Sequence, residues 1–298
     1  MFVALRCSRE RTEMRPSSWS AWPKPVWPCW LRRRTSMSEA LNPSPVLVDV
    51  ADGVLTLTLN APRKRNALST PGVSEGLLAG LERLEVEPDL RCAVITGGDG
   101  IFCSGGDLDV LRSSKREDVE RMMHRNAWLY RRIAHSPKLV IAAVDGPAFG
   151  AGLGLACVCD VVVAGPQARF CCAFTRTGAM PDAALFWSLP SRVGMAKARQ
   201  LMLWATELDA RTAVEVGLAD EAVATSAGQR SAELARLVSE GPGLAYGRIK
   251  AGLRRGVMGL DQALDFQLDN APGVFDSVDF REGASAFLEK RSPRFGQV

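Results

Sequence analysis

Histidine is almost missing from this chain of 298 residues; only His124 and His135 occur. Both fall in one helical segment, about three turns apart, which places them on one side of that helix. A Ser/His/Asp or Cys/His catalytic pair therefore has few candidates. A zinc site lacks both the histidines and the ligand spacing, so no metal is expected. The eight cysteines include no C-x-x-C pair and mostly sit in apolar surroundings. Reduced, buried thiols in a cytoplasmic protein are the expectation. No apolar run approaches the roughly 18 residues of a membrane span, so no membrane partner is expected. The chain also lacks G-x-x-x-x-G-K-[ST]. Gly150, Gly152 and Gly154 alternate after an apolar strand, but Leu155 stands where a dinucleotide fingerprint needs its last glycine. Those three glycines need another explanation.

What is present suits a soluble enzyme-sized chain. Apolar residues make up 47% and charged residues 23%, enough to bury a large core without disulfides. The formal charge of +4 is unevenly placed: eight basic and two acidic residues lie in residues 1–36. The body gives no electrostatic reason to bind nucleic acid. Residues 1–36 also carry Trp19, Trp22, Trp27 and Trp30, four prolines, and no helical or strand period. They lack a secretory h-region. We read them as a disordered extension or the product of an upstream start, with the natural start at Met37.

Along the body, VLVDVADGVLTLTL (46–59) is a hairpin signal around Asp52-Gly53. Thr70-Pro71 reads as an N-cap and first position of a helix carrying Leu77, Leu78, Leu81 and Leu84. CAVITG is a short buried strand and 115–135 a long helix. LVIAAV is a strand, GAGLGLACV a buried helix, and DVVVAG a further strand. From about 182 the pattern is helical, in five or so segments. Strands alternating with helices before a helical tail give an α/β core with a helical C-terminal region. We divide it at 37–235 and 236–298. No repeat of fixed period is evident.

One unit occurs twice. CAVITGGDGIFCSGGDL and LVIAAVDGPAFGAGLG each run strand, glycine-rich loop, helix start. Small residues leave backbone N–H groups uncovered, beside the positive end of a helix. Either turn alone reads as a device for tight packing. Together they favour an anion cradle, an oxyanion hole in which each donor is worth roughly 100- to 1000-fold in rate.

NAPRKRNALS, VITGGDGIFCSGGDL, AAVDGPAFGAGLGLACVCDVVVAG and FREGASAFLEKRSPRF together resemble the crotonase superfamily, the enoyl-CoA hydratase/isomerase family, over about residues 46–296. The resemblance implies a ββα-spiral α/β core, a helical C-terminal trimerisation region, and a homotrimer or a hexamer built of two trimers. It implies an acyl-CoA thioester as substrate, with no separate cofactor. Gly106 and Ala151 match the two N–H donors for the thioester enolate. Without such fixed dipoles an α-proton is too weak an acid to leave at neutral pH. CoA is then expected to pass NAPRKRNAL, with Arg63 and Lys64 near its phosphates and Ala67 in the same segment. The backbone of Ser104, Gly105, Gly106, Asp107 and Leu108 is expected to hold adenine and pantetheine. Lys290 is expected to reach a phosphate, on its own or a neighbouring subunit. Without the resemblance, Arg63 and Lys64 read equally well as a solvated basic loop.

The chain departs from the hydratase pattern in two places. Hydration uses two glutamates, one to activate water and one to protonate the α-carbon. The matching positions here are Gly154 and Phe174. The remaining carboxylate is Asp182 in GAMPDAALFWSLP, which resembles the isomerases, including the ring-epoxide isomerase of phenylacetate breakdown. Apolar neighbours are expected to raise its pKa by desolvation. Its alternative role is to cap the helix after Pro181. Ala183-Ala184 replace the usual glycine pair of that segment. Asp107 and Asp160 read as structural acids at a loop-to-helix junction and a strand entry. An enoyl-CoA isomerase with Asp182 as base is favoured. A family member with another reaction, such as decarboxylation, and a non-catalytic CoA-binding protein are the alternatives.

Overall fold

The computed structural model describes residues 44–296 and opens with the expected hairpin. β1 (Val46–Ala51) and β2 (Val54–Leu59) pair antiparallel through Asp52-Gly53, whose φ angles are 51° and 75°. Two left-handed residues make a type I′ turn, whose twist matches the flanking strands. The expectations for residues 1–36, Cys7 and Cys29 included, lie outside the described residues.

α1 (Val73–Val86) buries Leu77, Leu81 and Leu84 against the sheet, with Leu78 partly covered. Thr70-Pro71 does not open it. The N-cap is Gly72 at φ 86°, and its N–H donates to Glu75 Oε2 at 3.1 Å. The Thr70 N–H donates to Ala67 O at 2.9 Å, which keeps Thr70 in the preceding turn. Entry into the helix needs a left-handed residue, and glycine takes that position without steric cost.

β3 (Cys92–Gly97) leads through a long loop to α2 (Leu108–Ser113) and α3 (Arg116–His135). β4 (Leu139–Val144), β5 (Pro147–Phe149) and α4 (Ala151–Val158) follow, then β6 (Val161–Ala164) and β7 (Arg169–Cys171). α5 (Leu185–Trp204) is broken at Gly194, φ 74°. After it come β8 (Leu208–Asp209), α6 (Ala210–Glu215), β9 (Glu221–Ala222), α7 (Ala227–Ser239), α8 (Gly243–Leu253), α9 (Leu260–Phe275) and α10 (Val278–Glu289). The region after 182 thus holds six helices, α5 to α10, and two short strands. Residue 235, where we divided the sequence, falls inside α7.

The main sheet has the order β1-β2-β3-β4-β6-β9, parallel from β2 onward. A smaller sheet has the order β5-β7-β8. β4 and β6 each hand on to a strand of the smaller sheet and then to a helix. β3 does the same through Cys103, which bridges to Ala148 of β5. The chain is therefore a stack of strand–strand–helix units, as the resemblance implies. Alternate residues of β3 and β4 are buried on opposite faces, as period-2 side chains require. Ala93, Ile95, Val140 and Ala142 join the large cluster with α1 and α3. Cys92, Val94, Ile141 and Ala143 join a second cluster under α7. Both faces are covered, which explains the continuous apolar runs. The six described cysteines are free and buried.

One buried ion pair ties the C-terminal helices to this core. Lys250 of α8 donates to Ile133 O at 2.8 Å, to Lys138 O at 3.1 Å and to Asp160 Oδ2 at 2.7 Å. Asp160 also accepts the Val140 N–H at 2.8 Å, so it is the structural acid at the entry to β6. Burial pushes its carboxyl above the usual carboxylate range in spite of the cation. Lys250→Met removes the cation and leaves that carboxylate buried and uncompensated. The expected cost is about 3–5 kcal/mol, read as a lowered urea midpoint. Lys250→Met combined with Asp160→Asn is expected to recover part of it.

Candidate active site

The two glycine-rich turns meet. A Cβ on Gly105 would lie 2.7 Å from Phe149 O and 3.0 Å from the Ala151 nitrogen. One on Gly152 would collide with Cys103 O. Phe149 N–H donates to Cys103 O and Cys103 N–H to Pro147 O, at 2.9 and 3.0 Å. Glycine is required at both positions because the backbones are in contact, Gly105 also having φ 95°. Among the described residues no protein acceptor is bonded to the N–H of Gly106 or of Ala151. Ala151 is the first residue of α4, where an unpaired N–H and the helix dipole coincide.

The NAPRKRNAL segment laces onto the same turn. Leu68 N–H donates to Gly105 O at 2.8 Å and Ser104 N–H to Arg65 O at 3.0 Å. Asn66 holds it in shape: fully buried at φ 54°, it donates to Ile101 O at 2.7 Å and accepts from the Ala61 N–H at 2.8 Å. Its role was missed in the sequence, although asparagine tolerates the left-handed region better than most residues. Ala67 is buried beside it and Arg63 is exposed. Lys64 pairs with Asp107 Oδ2 at 2.8 Å, and Asp107 caps α2 by accepting the Asp109 N–H at 3.0 Å. The ammonium of Lys64 holds the Asp107 carboxyl below its ordinary range. Leu108 is exposed. Lys290 ends α10 at φ 56° and lines no part of the cavity described next.

That cavity has a volume of about 700 Å³. Its walls are α3, at Met123, Tyr130 and His135, and the segment from Met180 to Trp187. His124, on the same side of α3 by spacing, is exposed and not part of the lining. Asp182 is the only acid in the lining. Its Oδ1 is buried and accepts no hydrogen bond, and burial raises its pKa. It does not cap α5: the N-cap is Ala184, which receives no side-chain bond. Tyr130 is 6% exposed, and its hydroxyl is likewise buried without a partner. Burial raises the Tyr130 pKa, and the nearby Asp182 and Cys103 raise it further, which puts the phenol within electrostatic reach of both. Sequence reading missed Tyr130, because one tyrosine in a long helix has no local signature. Cys103 itself, fully buried, is pushed up to about 12 and is no nucleophile. Among the described residues no cluster of His, Cys, Asp and Glu is placed to hold a metal ion.

Asp182 is joined to the glycine turns through α4. Ala151 and Gly154 are neighbours on one face of that helix. A Cβ on Gly154 would lie 2.5 Å from the Ala183 Cβ and would collide with the Ala183 carbonyl oxygen. Ala183 therefore occupies the space above Gly154. Ala183 and Ala184 both have left-handed φ, 53° and 59°, which costs an alanine roughly 1–2 kcal/mol each. Phe174 is half-buried, its ring 3.9 Å from where a Gly150 Cβ would stand.

Residues 49–298 match the enoyl-CoA hydratase/isomerase family. A probable enoyl-CoA hydratase of Rhodobacter capsulatus is 38% identical over 262 residues, covering 83% of this chain and 96% of its own. A 1,2-epoxyphenylacetyl-CoA isomerase of Escherichia coli is 38% identical over 260 residues, covering 84% and 97%. The crystal structure of an enoyl-CoA hydratase from Polaromonas sp. JS666 superposes with a TM-score of 0.79 at 31% identity, covering 84% of this chain and 98% of that one.

The packing of Gly154 on Ala183 gives opposite expectations for two small substitutions. Gly154→Ala forces Ala183 to move and is expected to lower thermal stability by about 1–3 kcal/mol. Ala184→Gly relieves a left-handed alanine and is expected to raise it by up to about 1 kcal/mol, less the entropy glycine adds to the unfolded chain. Thermal unfolding of the two variants beside the parent protein checks both signs.

Proposed function

Because the chain belongs to the enoyl-CoA hydratase/isomerase family of the crotonase superfamily, we propose that it shifts a double bond within an acyl-CoA thioester, with Asp182 as the single base. One observation carries this reading: Asp182 is the only acid lining the cavity, and its buried Oδ1 is unpaired, next in sequence to Ala183, which packs on Gly154 of α4. Its carboxylate takes a proton from C2 of a 3-enoyl thioester. The electron pair moves onto the thioester oxygen, which accepts from the N–H groups of Gly106 and Ala151. Collapse of the enolate draws the proton back at C4, and the double bond then lies between C2 and C3. Proton and electrons balance within the substrate, and no water is added.

Relatives of this chain bear hydratase and isomerase names alike, so its own side chains must discriminate. Hydration needs one group to activate water and another to protonate carbon. Position 154 is a glycine already covered by Ala183, and position 174 is a phenylalanine. Both changes dry the site, which favours a carboxylate with a raised proton affinity over a water nucleophile. The oxyanion role of Gly106 and Ala151 draws support from their unpartnered N–H groups. CoA recognition is assigned to the rim of Arg63, Lys64, Ala67 and the backbone of Ser104 to Leu108, with Lys290 from the same or a neighbouring subunit. Lys64 would then exchange Asp107 for a phosphate. Exposed apolar residues on the C-terminal helices, among them Leu253, Leu260, Leu268, Phe287 and Leu288, support self-association as a trimer or a hexamer.

The test is turnover of 3-enoyl-CoA and 2-enoyl-CoA by purified protein, read by mass spectrometry. Isomerisation without gain of water is expected. Asp182→Asn is expected to lose roughly 100- to 10,000-fold in kcat, the usual worth of a general base. Rapid hydration of 2-enoyl-CoA, or full activity in Asp182→Asn, overturns the reading.

The raised pKa of Asp182 has a signed consequence for pH. The base must be ionised, so log kcat/KM is expected to fall with falling pH at an inflection above the ordinary 3.8 of an aspartate. Stability runs the other way. A carboxyl whose folded pKa exceeds its unfolded one favours the native state below the unfolded value, and that contribution is lost as pH rises through the folded value. Asp182→Asn is therefore expected to melt higher than the parent at pH 8, and the gap is expected to close as pH falls.

A further inference from the structure

Asp182 stands on one wall of a cavity whose other charged lining residues are both arginines, Arg131 from α3 and Arg254 just past the end of α8, with His135 of α3 in the same lining. Arg131 is exposed, its guanidinium 5.8 Å from the centre of the Trp128 ring. Arg254 is half-buried. Among the described residues neither makes an ion pair. Burial disfavours a charge on His135, and the cations facing it, Arg254, Arg131 and Lys250, oppose its protonation further; Lys250 is already paired with Asp160. Burial and the neighbouring Arg255 disfavour the charge on Arg254. A partly desolvated guanidinium without an anion is unfavourable, and a carboxylate is the ligand its forked donors fit best.

Position along the cavity says which part of a substrate would bring that anion. α4 begins at Ala151, against Gly105, and ends at Val158, which lines the cavity with His135 and Arg254. Seven residues of helix separate them by about 10 Å. The basic end is thus remote from the thioester oxygen under the Gly106 and Ala151 assignment. The rest of the lining is largely apolar, with Met180, Leu185, Phe186 and Trp187. It suits a run of methylenes.

We propose that the preferred acyl group ends in a carboxylate, held by Arg254 and Arg131 at the far end of the cavity. This rests on the placement of the thioester argued above. A dicarboxylic acyl-CoA puts its enolisable end at Asp182 and its free carboxylate on the two arginines, with apolar chain between. The thioester end is recognised by backbone, the distal end by charge, so chain length becomes the selected property.

The test uses saturated ligands, which bind without turnover. Titration calorimetry of the full-length protein compares glutaryl-, adipyl- and suberyl-CoA with pentanoyl-, hexanoyl- and octanoyl-CoA. CoA charge is common to both series, so only the distal group differs. At least one dicarboxylic member is expected to bind roughly 10- to 100-fold tighter than the monocarboxylic thioester of equal carbon number, the worth of hydrogen bonds to a charged group. Arg254→Met with Arg131→Met is expected to abolish that preference while leaving hexanoyl-CoA affinity and the melting temperature unchanged. No preference in the parent protein, tighter binding of phenylacetyl-CoA than of every dicarboxylic ligand, or a preference that survives both substitutions overturns the proposal. Isomerisation of 3-hexenoyl-CoA by the same preparation is followed in parallel. Turnover there with no dicarboxylic preference sinks this inference alone, whereas absence of any acyl-CoA turnover sinks the isomerase reading.

Discussion

The contact between two glycine turns is the constraint on which the rest of the site depends. The loop after β3 lies on the loop after β4 because Gly105 and Gly152 have no side chains where Phe149 O and Cys103 O pass. The Cys103–Ala148 bridge then continues the smaller sheet across the gap. Three things follow from this one approach. Ala151 starts α4 with its N–H uncovered. Cys103 is sealed in the core, far from ionising. The NAPRKRNAL segment acquires fixed acceptors, Arg65 O for Ser104 and Gly105 O for Leu68. A side chain at Gly105 or Gly152 would separate these backbones, and every donor they position would shift together. Pre-organised dipoles are useful only when they do not have to move, so the packing and the proposed chemistry place the same demand on these residues.

Much of this was legible in the sequence, and the misses have physical reasons. The hairpin, the burial of β3 and β4, the long α3 and the buried α4 follow from local period and turn chemistry. The start of α1 was misplaced because Thr70-Pro71 is a good local opening, yet Gly72 alone can take the left-handed turn that tertiary packing imposes. The stacked strand–strand–helix units leave no fixed period. Their second strands are three residues or a single bridge, and insertions such as α2 and α3 separate the first unit from the next. Asp182 was singled out because GAMPDAALFWSLP resembles a segment of the isomerases, and its raised proton affinity was expected because its apolar neighbours are adjacent in sequence. Tyr130 and Asn66 were not, because what makes them special is contact with residues far along the chain.

The pair Ala183-Ala184 shows how a departure from a family pattern is absorbed. Glycine would occupy two successive left-handed positions freely; here two alanines do so. The extra methyl of Ala183 fits because position 154 has none. Any side chain at 154 competes for volume with residue 183, whose carbonyl oxygen would stand even closer to it than the methyl does. The one acid left in the lining, Asp182, is thereby set among apolar neighbours.

Dryness in turn sets what the remaining polar groups can do. Asp182 Oδ1 and the Tyr130 hydroxyl are both buried and unsatisfied, and each such group costs roughly 1–3 kcal/mol. A fold that merely sought stability would replace both with apolar side chains of similar shape. The two lie within electrostatic reach of one another, yet neither bonds to the other, so both keep unused hydrogen-bonding capacity. A base that is already paired in the resting protein must break that bond before it can take a proton. One that is unpaired and desolvated gains on both counts when the substrate's α-proton arrives. The instability at Asp182 and Tyr130 is of the local kind expected where binding rather than folding supplies the missing partners. The Lys250–Asp160 pair also holds the Ile133 carbonyl of α3, three residues beyond Tyr130, and so fixes the wall that carries the phenol.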